Sequence, residues 1–387
     1  MSALLTAEIE HARSAGLRYV DDRTPGYRRE RTRAGFVYVD RHGVRLTDEN
    51  ELARIRSLAI PPAYEDVWIC SHAHGHMQAT ARDAKGRKQY RYHKRWREVR
   101  DANKYEATLA FAKALSLLRE RVERDFARAD MSRDNVLATV IRMLETTLVR
   151  VGNETYARDN DSYGLTTLRG RHVRVVGEKR VRLQFRGKSG VDHALTIDDR
   201  RLARAVKRCR DLPGELLFTY LDDAREPVPV HSEDVNAYLR EATGGDFSAK
   251  DFRTWAATVS CAMQLHAAGE AATQAEAKAK VVAALQATAK RLGNTPAVCC
   301  KAYVHPAIVE HYLDEHRLDL PSARLTKATS GLHDDERRVL AFLEAENVRD
   351  ERSVRVQKLE RSVTLAKGER KVRAGNPKVV PKRSPRE

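Results

Sequence analysis

The sequence predicts an α+β protein in which a small, strand-rich N-terminal domain precedes a larger, mainly α-helical domain with a three-stranded β-meander. Short runs of β-branched and aromatic residues, separated by turn residues, fill the first 96 positions. From Arg95 onward, apolar residues recur instead at helical spacing. Three further strand-like runs interrupt these helices between residues 172 and 197, which places the meander inside the second domain.

Length and composition bound the class of protein. The 387 residues have room for two domains and a tail, which we place at residues 1–96, 97–323 and 324–387. With 42% hydrophobic residues the chain can build a proper core, and no run of about 18 apolar residues predicts a membrane span. The N-terminal segment carries acidic residues in a short amphipathic helix and is not typical of a signal peptide. Five mostly scattered cysteines favour a reducing cytoplasm over a disulfide framework.

Charge indicates the kind of partner. The chain has 71 basic and 54 acidic residues, a net charge of +17. A surplus of that size favours a polyanionic partner and predicts nucleic acid. A ribosome-associated or merely basic protein is the alternative on charge alone.

In the N-terminal domain we predict strands at residues 35–40, 67–70, 76–81 and 88–92, and one modest helix at 48–58. His72, His74 and His76 alternate, so on a strand they would share one face, where a metal site is conceivable. Since no cysteine or carboxylate completes such a site, we predict no metal.

Residues 86–96 interleave arginine, lysine and glutamine with aromatic residues. Gln89 could make two hydrogen bonds to a base edge, while the basic side chains neutralise phosphate. On a strand, Tyr90 and Tyr92 would share a face opposite Gln89 and Arg91. A half-buried edge strand with its cations in solvent explains the same spacing equally well.

In the second domain, helical spacing covers residues 105–130 and 134–150. A stop at Val151-Gly152-Asn153 puts Arg150 at the mouth of a loop, where it could simply serve the helix dipole. The meander follows, and a tight turn joins its last two strands and presents Lys188 at the tip. This turn is not a phosphate-binding loop, because the first glycine of that motif would fall on Arg182 and no helix follows.

From the meander to about residue 323 we expect helices only. Arg253 lies in the first turns of one of them, where its stem could simply cover the neighbouring Trp255. In the extension we predict one short helix, at 334–346, and then a disordered basic run that adds sequence-independent attraction to a nucleic-acid backbone.

Near the end of the helical domain, one helix is expected to stop at Gly293 and the next to start at Thr295. Tyr303 follows, with Lys301 and His305 on either side. A phenol with an ordinary pKa near 10 is a poor nucleophile at pH 7. It becomes useful against a phosphodiester only where cations gather around it.

Arg150, Lys188, Arg253 and Tyr303 come from four separate elements, and each has a plain structural explanation by itself. Together they resemble the type IB DNA topoisomerases, specifically the small poxvirus-like and bacterial members, whose catalytic domain is shared with tyrosine recombinases. The resemblance runs from about Thr24 to Leu320. It depends on the segments LVRVGNETYARDNDSYGLTTLRGRHV, FRGKSGVDH, KDFRTWAAT and GNTPAVCCKAYVHP, and on GRKQYRYHKRW in the N-terminal domain.

The resemblance implies a role for each matching residue. Tyr303 would be the nucleophile, Arg150 and Arg253 would hold the non-bridging phosphate oxygens, and Lys188 would protonate the leaving oxygen. Asn294 stands where poxvirus members have a histidine and bacterial relatives tend to have asparagine; it could still donate a neutral hydrogen bond to phosphate. The implied DNA-binding residues are Gln89, Tyr90 and Tyr92, which would contact the major groove, and Tyr156.

The implied activity is relaxation of supercoiled duplex DNA through a 3′-phosphotyrosyl intermediate, without ATP, metal or another cofactor. The resemblance also implies a monomer that closes on double-stranded DNA as a clamp, with residues 1–96 as the clamp domain and 97–323 as the catalytic domain. Such a protein would be cytoplasmic and associated with the nucleoid. Two alternatives stay open: a tyrosine recombinase or integrase, and a non-catalytic nucleoid protein. The strand-rich N-terminal domain speaks against the recombinase, and the joint match of four site residues against the nucleoid protein.

Overall fold

The computed structural model describes the backbone of residues 3–128 and 130–349, and the side chains of these residues except 3–7, 100–103, 156 and 189. The chain divides into two compact units, Met1–Ala107 and Thr108–Glu387. The first unit is rich in strands and the second is mainly helical with a three-stranded sheet, so the predicted fold class is confirmed.

The first unit is built on a five-stranded antiparallel sheet of order β2-β1-β3-β4-β5. Its small core lies under helix α2 and includes Ile55, Val67 and Ile69. The elements are α1 Ala3–Ser14, β1 Gly26–Thr32, β2 Gly35–Val39, α2 Glu49–Ser57, β3 Glu65–Cys70, β4 Met77–Arg82, β5 Lys88–Tyr92 and the start of α3 Lys94–Ala127.

Strand β1 lies at an interior position of this sheet, yet the sequence analysis missed it. Its residues, GYRRERT, carry charges at most positions and show no apolar alternation. Backbone pairing to β2 and β3 holds the strand, and the guanidinium of Arg29 donates to the carbonyls of Ile60, Pro61 and Tyr64. Because these partners are distant in sequence, no local pattern could predict the strand.

The second unit surrounds helix α4, in which Val136, Leu137, Val140 and Leu144 are fully buried. The meander β6-β7-β8 packs Val181, Leu183 and Phe185 of β7 into the same core. Its elements after α3 are α4 Arg133–Thr147, α5 Glu154–Asn160, β6 Val173–Val176, β7 Arg180–Arg186, β8 Asp192–Asp198, α6 Arg200–Arg210, β9 Thr219–Leu221, β10 Pro227–Pro229, α7 Ser232–Thr243, α8 Ala249–Ala268, α9 Gln274–Leu292, α10 Pro296–Ala302, α11 Pro306–Glu315 and α12 at 334–349.

Two sequence-based expectations for this unit were wrong. The region after the meander is not helical throughout, because β9 and β10 form a two-stranded antiparallel pair; each is three residues long, too short for a recognisable alternation. Helix α4 ends at Thr147 rather than near residue 150. Leu148 turns into the left-handed region with φ 55°, and its N–H still bonds the carbonyl of Leu144.

No helix in the described part of the chain is long and apolar enough to cross a membrane.

Candidate active site

Tyr303 lies at the break between α10 and α11. Helix α9 stops at Gly293, whose φ of 62° favours glycine, and the side chain of Thr295 then caps α10 by accepting the N–H of Val298. Tyr303 ends the short α10, and its N–H bonds the carbonyl of Cys299 at 3.0 Å. On α8, Oγ1 of Thr258 accepts the N–H of His305 at 3.1 Å and lies 3.3 Å from the carbonyl of Tyr303. The backbone on both sides of the half-buried phenol is therefore fixed.

Arg253 on α8 is 3% exposed, and its guanidinium lies 5.2 Å from the centroid of the Tyr303 ring. Its Nη1 donates to the carbonyl of Leu148 and its Nη2 to that of Leu292, at 2.8 Å for the second bond. These carbonyls stand at the C-terminal ends of α4 and α9, where helices leave acceptors unpaired and carry partial negative charge. Nε of Arg253 is buried and has no hydrogen-bond partner among the described residues.

Arg150 lies in the loop that follows α4, and its Nη2 donates to Oδ1 of Asn294 at 2.5 Å. The loop is held by Leu165, whose N–H bonds the carbonyl of Arg150 at 2.9 Å. A side chain at Gly164 would come within 2.5 Å of that carbonyl oxygen, so the close approach requires glycine. The Nδ2 of Asn294 is buried and finds no partner in the described part of the chain. Two buried donors of this cluster, Nδ2 of Asn294 and Nε of Arg253, thus have no partner among the residues that the structure describes.

The cluster changes the acidity of the phenol. Burial by itself raises the pKa of Tyr303, because it disfavours the charged phenolate. The positive charge of Arg253, followed by those of Arg150 and Lys250, outweighs burial and brings the pKa below its ordinary value. The phenol is thus easier to deprotonate than a buried tyrosine without these neighbours.

Lys188 is placed differently. It lies at the tip of the β7–β8 hairpin, in a turn closed by a 2.7 Å bond from the Gly187 N–H to the Val191 carbonyl. Its side chain is exposed, and in the described part of the chain it makes no hydrogen bond or ion pair. Arg150, Arg253, Asn294 and Tyr303 are therefore brought together, whereas Lys188 is not held against them.

Comparison with known proteins identifies the family of this chain. The family described as "Eukaryotic DNA topoisomerase I, catalytic core" matches residues 93–321, and "Bacterial DNA topoisomerase IB, N-terminal domain" matches residues 35–83. DNA topoisomerase 1B of Acanthamoeba polyphaga mimivirus is 31% identical over 309 residues, which cover 76% of this chain and 92% of the relative. The chain belongs to the type IB DNA topoisomerases. The predicted family is thereby confirmed.

Two more distant relatives of this type IB topoisomerase are viral as well. DNA topoisomerase I of Monkeypox virus and DNA topoisomerase 1B of Vaccinia virus (strain Copenhagen) are each 22% identical over 263 residues, or 67% of this chain and 79% of the relative. The catalytic-core match contains all five predicted catalytic residues and ends before α12.

Two residues near the site were missed by the sequence analysis. Lys250 stands one helical turn before Arg253 on α8, and its charge contributes to the lowered pKa of Tyr303. The i, i+3 spacing on a predicted helix was the signal that could have identified it.

The second missed residue is His193 on β8, whose ring stacks on Phe185 with centroids 4.9 Å apart. A side chain at Gly187 would come within 2.6 Å of this ring, and one at Gly293 within 3.1 Å. The imidazole is therefore wedged between the Lys188 hairpin and the segment that leads to Asn294. Burial first, and then the charges of Arg150 and Arg253, lower the pKa of His193, so the ring is neutral at pH 7. His193, Arg150 and Arg253 are distant in sequence and come together only in the folded chain, so no sequence spacing could identify His193.

In the first unit, the rings of Tyr90 and Tyr92 stack on β5 with centroids 6.0 Å apart, and Tyr90 is 45% exposed. Gln89 is half-buried, and its Nε2 donates to Oδ2 of Asp83 at 3.0 Å across the β4–β5 hairpin. Tyr156 belongs to α5, but its side chain lies outside the described residues.

The alternating histidines occupy separate environments. His76 is buried, and its Nδ1 accepts the N–H of Val20 at 3.0 Å, while Nη1 of Arg18 lies 3.2 Å from Nε2 of His72. Within the described ranges, no group of three or more His, Cys, Asp or Glu residues is arranged to hold a metal ion.

Proposed function

We propose that this type IB topoisomerase relaxes supercoiled duplex DNA by cutting one strand with Tyr303, holding the end as a 3′-phosphotyrosyl ester and then resealing it, without ATP or metal. The observation that carries the proposal is the convergence on one half-buried phenol of two arginines from distant parts of the chain. A protein that only binds DNA has no need of a phenol with a lowered pKa in such a cluster.

In the cleavage step, the Tyr303 phenol gives its proton to solvent water, its oxygen attacks phosphorus, and the bond to the 5′-oxygen breaks. The neighbouring cations favour the phenolate and so lower the cost of that proton loss. The energy of the broken phosphodiester is kept in the tyrosyl ester, so resealing needs no external energy source. Between the two steps, rotation of the cut duplex removes supercoils.

Arg150, Arg253 and Asn294 stabilise the negative charge that gathers on the non-bridging oxygens during attack. The guanidinium of Arg253 is preorganised, because two helix-end carbonyls fix it, and its buried Nε has no partner among the described residues. The open Nδ2 of Asn294 supplies a further, neutral donor. Loss of a preorganised guanidinium such as that of Arg253 typically slows the chemical step by about 10²–10³-fold.

Lys188 acts as the general acid that protonates the leaving 5′-oxygen, and takes the proton back when the 5′-hydroxyl attacks the ester. An alkoxide leaves badly without a proton, so a positioned acid contributes roughly 10²–10⁴-fold. The exposed hairpin tip supports this role, since the Lys188 side chain has no partner among the described residues and is available to bound DNA.

The DNA partner is a duplex, and the enzyme acts as a monomeric clamp associated with the nucleoid. The net charge of +17 supports the electrostatic part of binding. Tyr90 and Tyr92 offer an aromatic surface to the major groove, and Tyr156 a further contact. Gln89 would exchange its bond to Asp83 for a base edge.

The test is relaxation of a supercoiled plasmid in EDTA without nucleotide, with a denaturing gel to detect the covalent adduct. We expect full relaxation by the native chain, and by Tyr303→Phe normal DNA binding with neither relaxation nor adduct. Relaxation by the Phe variant at the native rate would refute the proposal. A substrate with two sites tests the recombinase alternative, because a recombinase would exchange strands between them.

A further inference from the structure

Helix α12 lies beyond the catalytic-core match, which ends at residue 321, yet it is part of the same core. Its apolar face buries Val339, Leu340, Phe342 and Leu343 among the residues of the second unit. Burial of four large side chains is typical of an integral element and not of a loosely attached tail. What it contacts indicates its role.

Glu336, in the first turn of α12, is 9% exposed and joins three elements. Its carboxylate accepts Nη1 and Nη2 of Arg119 on α3 at 2.7 and 3.0 Å, and Nε1 of Trp255 on α8 at 3.1 Å. It also accepts the N–H of His333 at 2.8 Å, which caps its own helix. Arg119 has Glu145 of α4 as a second partner, at 2.6 Å. A buried charge with every oxygen engaged orders the groups around it.

Trp255 follows Arg253 by two positions on α8, and such positions point about 200° apart around a helix. Arg253 therefore faces Tyr303 from one side of α8, while Trp255 anchors the opposite side to Glu336. The last turn of α8 is held in the same way, because Nη2 of Arg338 lies 3.0 Å from Nε2 of His266.

Helix α12 also contacts α11, the helix that follows Tyr303. The rings of Phe342 and His311 of α11 pack edge-on with centroids 4.9 Å apart. The Oε2 of Glu346 lies 3.4 Å from Nδ1 of the same histidine. One helix thus supports both the element that carries Arg253 and the element that follows the nucleophile.

We propose that α12 is a positioning element of the active site, and that Glu336 is the positioning residue that sets Arg253 against the phenol of Tyr303. The inference rests on the proposed roles of Arg253 and Tyr303. The buried carboxylate acts on the reaction only through Trp255 and α8, without touching the DNA.

The test compares two Glu-to-Gln changes on the same helix. Glu336→Gln alters the buried junction, whereas Glu344→Gln alters a partly exposed pair with Lys113, 2.8 Å apart. Because a misplacement of about 1 Å can cost 10²-fold, we expect Glu336→Gln to slow single-turnover cleavage by roughly 10- to 100-fold. It should also raise the pKa of Tyr303, followed by NMR of tyrosine labelled with ¹³C at Cζ and assigned with Tyr303→Phe. Glu344→Gln should change neither quantity.

Trp255→Phe is the second variant, since it removes the bond to Glu336 but keeps the ion pair with Arg119. Trp255→Phe should also slow cleavage and raise the pKa of Tyr303. If Glu336→Gln does not fold, Trp255→Phe tests the inference by itself. Native cleavage in the folded variants, or slower cleavage with an unchanged Tyr303 titration, would overturn the inference. In either case, a native enzyme that still forms its adduct through Tyr303 leaves the proposed function standing.

Discussion

Arg253 and Lys188 are two cations proposed for one reaction, and the structure holds them in opposite ways. Arg253 is 3% exposed and bound to two helix-end carbonyls, whereas Lys188 is exposed at the tip of a hairpin. The group proposed to stabilise developing charge is thus built into the core in the absence of DNA. The group proposed to deliver a proton is exposed, where it can reach the DNA. Charge stabilisation by a preorganised donor requires that the fold hold the donor in place. Proton transfer requires that the acid reach the leaving oxygen of the DNA.

The largest expected effect comes from Lys188, the exposed residue of the two. Lys188→Ala should slow cleavage by roughly 10²–10⁴-fold, because it removes the acid proposed to protonate the leaving 5′-oxygen. Its folding stability should stay within about 0.5 kcal/mol of the native chain, since an exposed side chain is removed. Single-turnover cleavage and denaturant unfolding measure the two quantities.

The control for Lys188 is chemical. A substrate with a 5′-thio leaving group needs no proton, so it should restore most of the rate to Lys188→Ala. A variant that stays equally slow on the thio-substrate would show that Lys188 is not the acid.

A smaller effect is expected at Asn294, which belongs to the cluster around Tyr303 that the fold holds in place. Asn294→Ala removes an open donor and the partner of Arg150, so cleavage should fall about 10- to 100-fold, the range of one hydrogen bond to a charged group. Asn294→His keeps a donor and should retain most of the activity. Equal losses in the two variants, measured by single-turnover cleavage, would indicate that this position contributes shape and not a hydrogen bond.

Part of this site could be predicted from sequence because it depends on local chemistry. The break between α9 and α10 follows from Gly293 and the capping Thr295, and the hairpin that carries Lys188 follows from its turn residues. These signals involve only neighbours in the chain. The resemblance to a known family then identified which of many basic residues belong together.

The rest depends on contacts between distant segments. The early end of α4 at Leu148 leaves the carbonyl that Arg253 binds, and no local pattern indicates that partnership. His193 enters the site only because two glycines leave room for its ring. Strand β1 was missed because it lacks apolar alternation and because the carbonyls that hold its Arg29 are distant in sequence. Tertiary partners overrode local preference at each of these places.

Nearby guanidinium groups outweigh burial and lower the pKa of Tyr303, the proposed nucleophile. The most direct measurement is the NMR titration of Tyr303 labelled with ¹³C at Cζ, in the native chain and in Arg253→Ala. We predict a pKa below the ordinary tyrosine value in the native chain. In Arg253→Ala the pKa of Tyr303 should rise, because burial favours the neutral phenol and the largest opposing charge has been removed. A native pKa at or above the ordinary value, or one that Arg253→Ala leaves unchanged, would contradict the account.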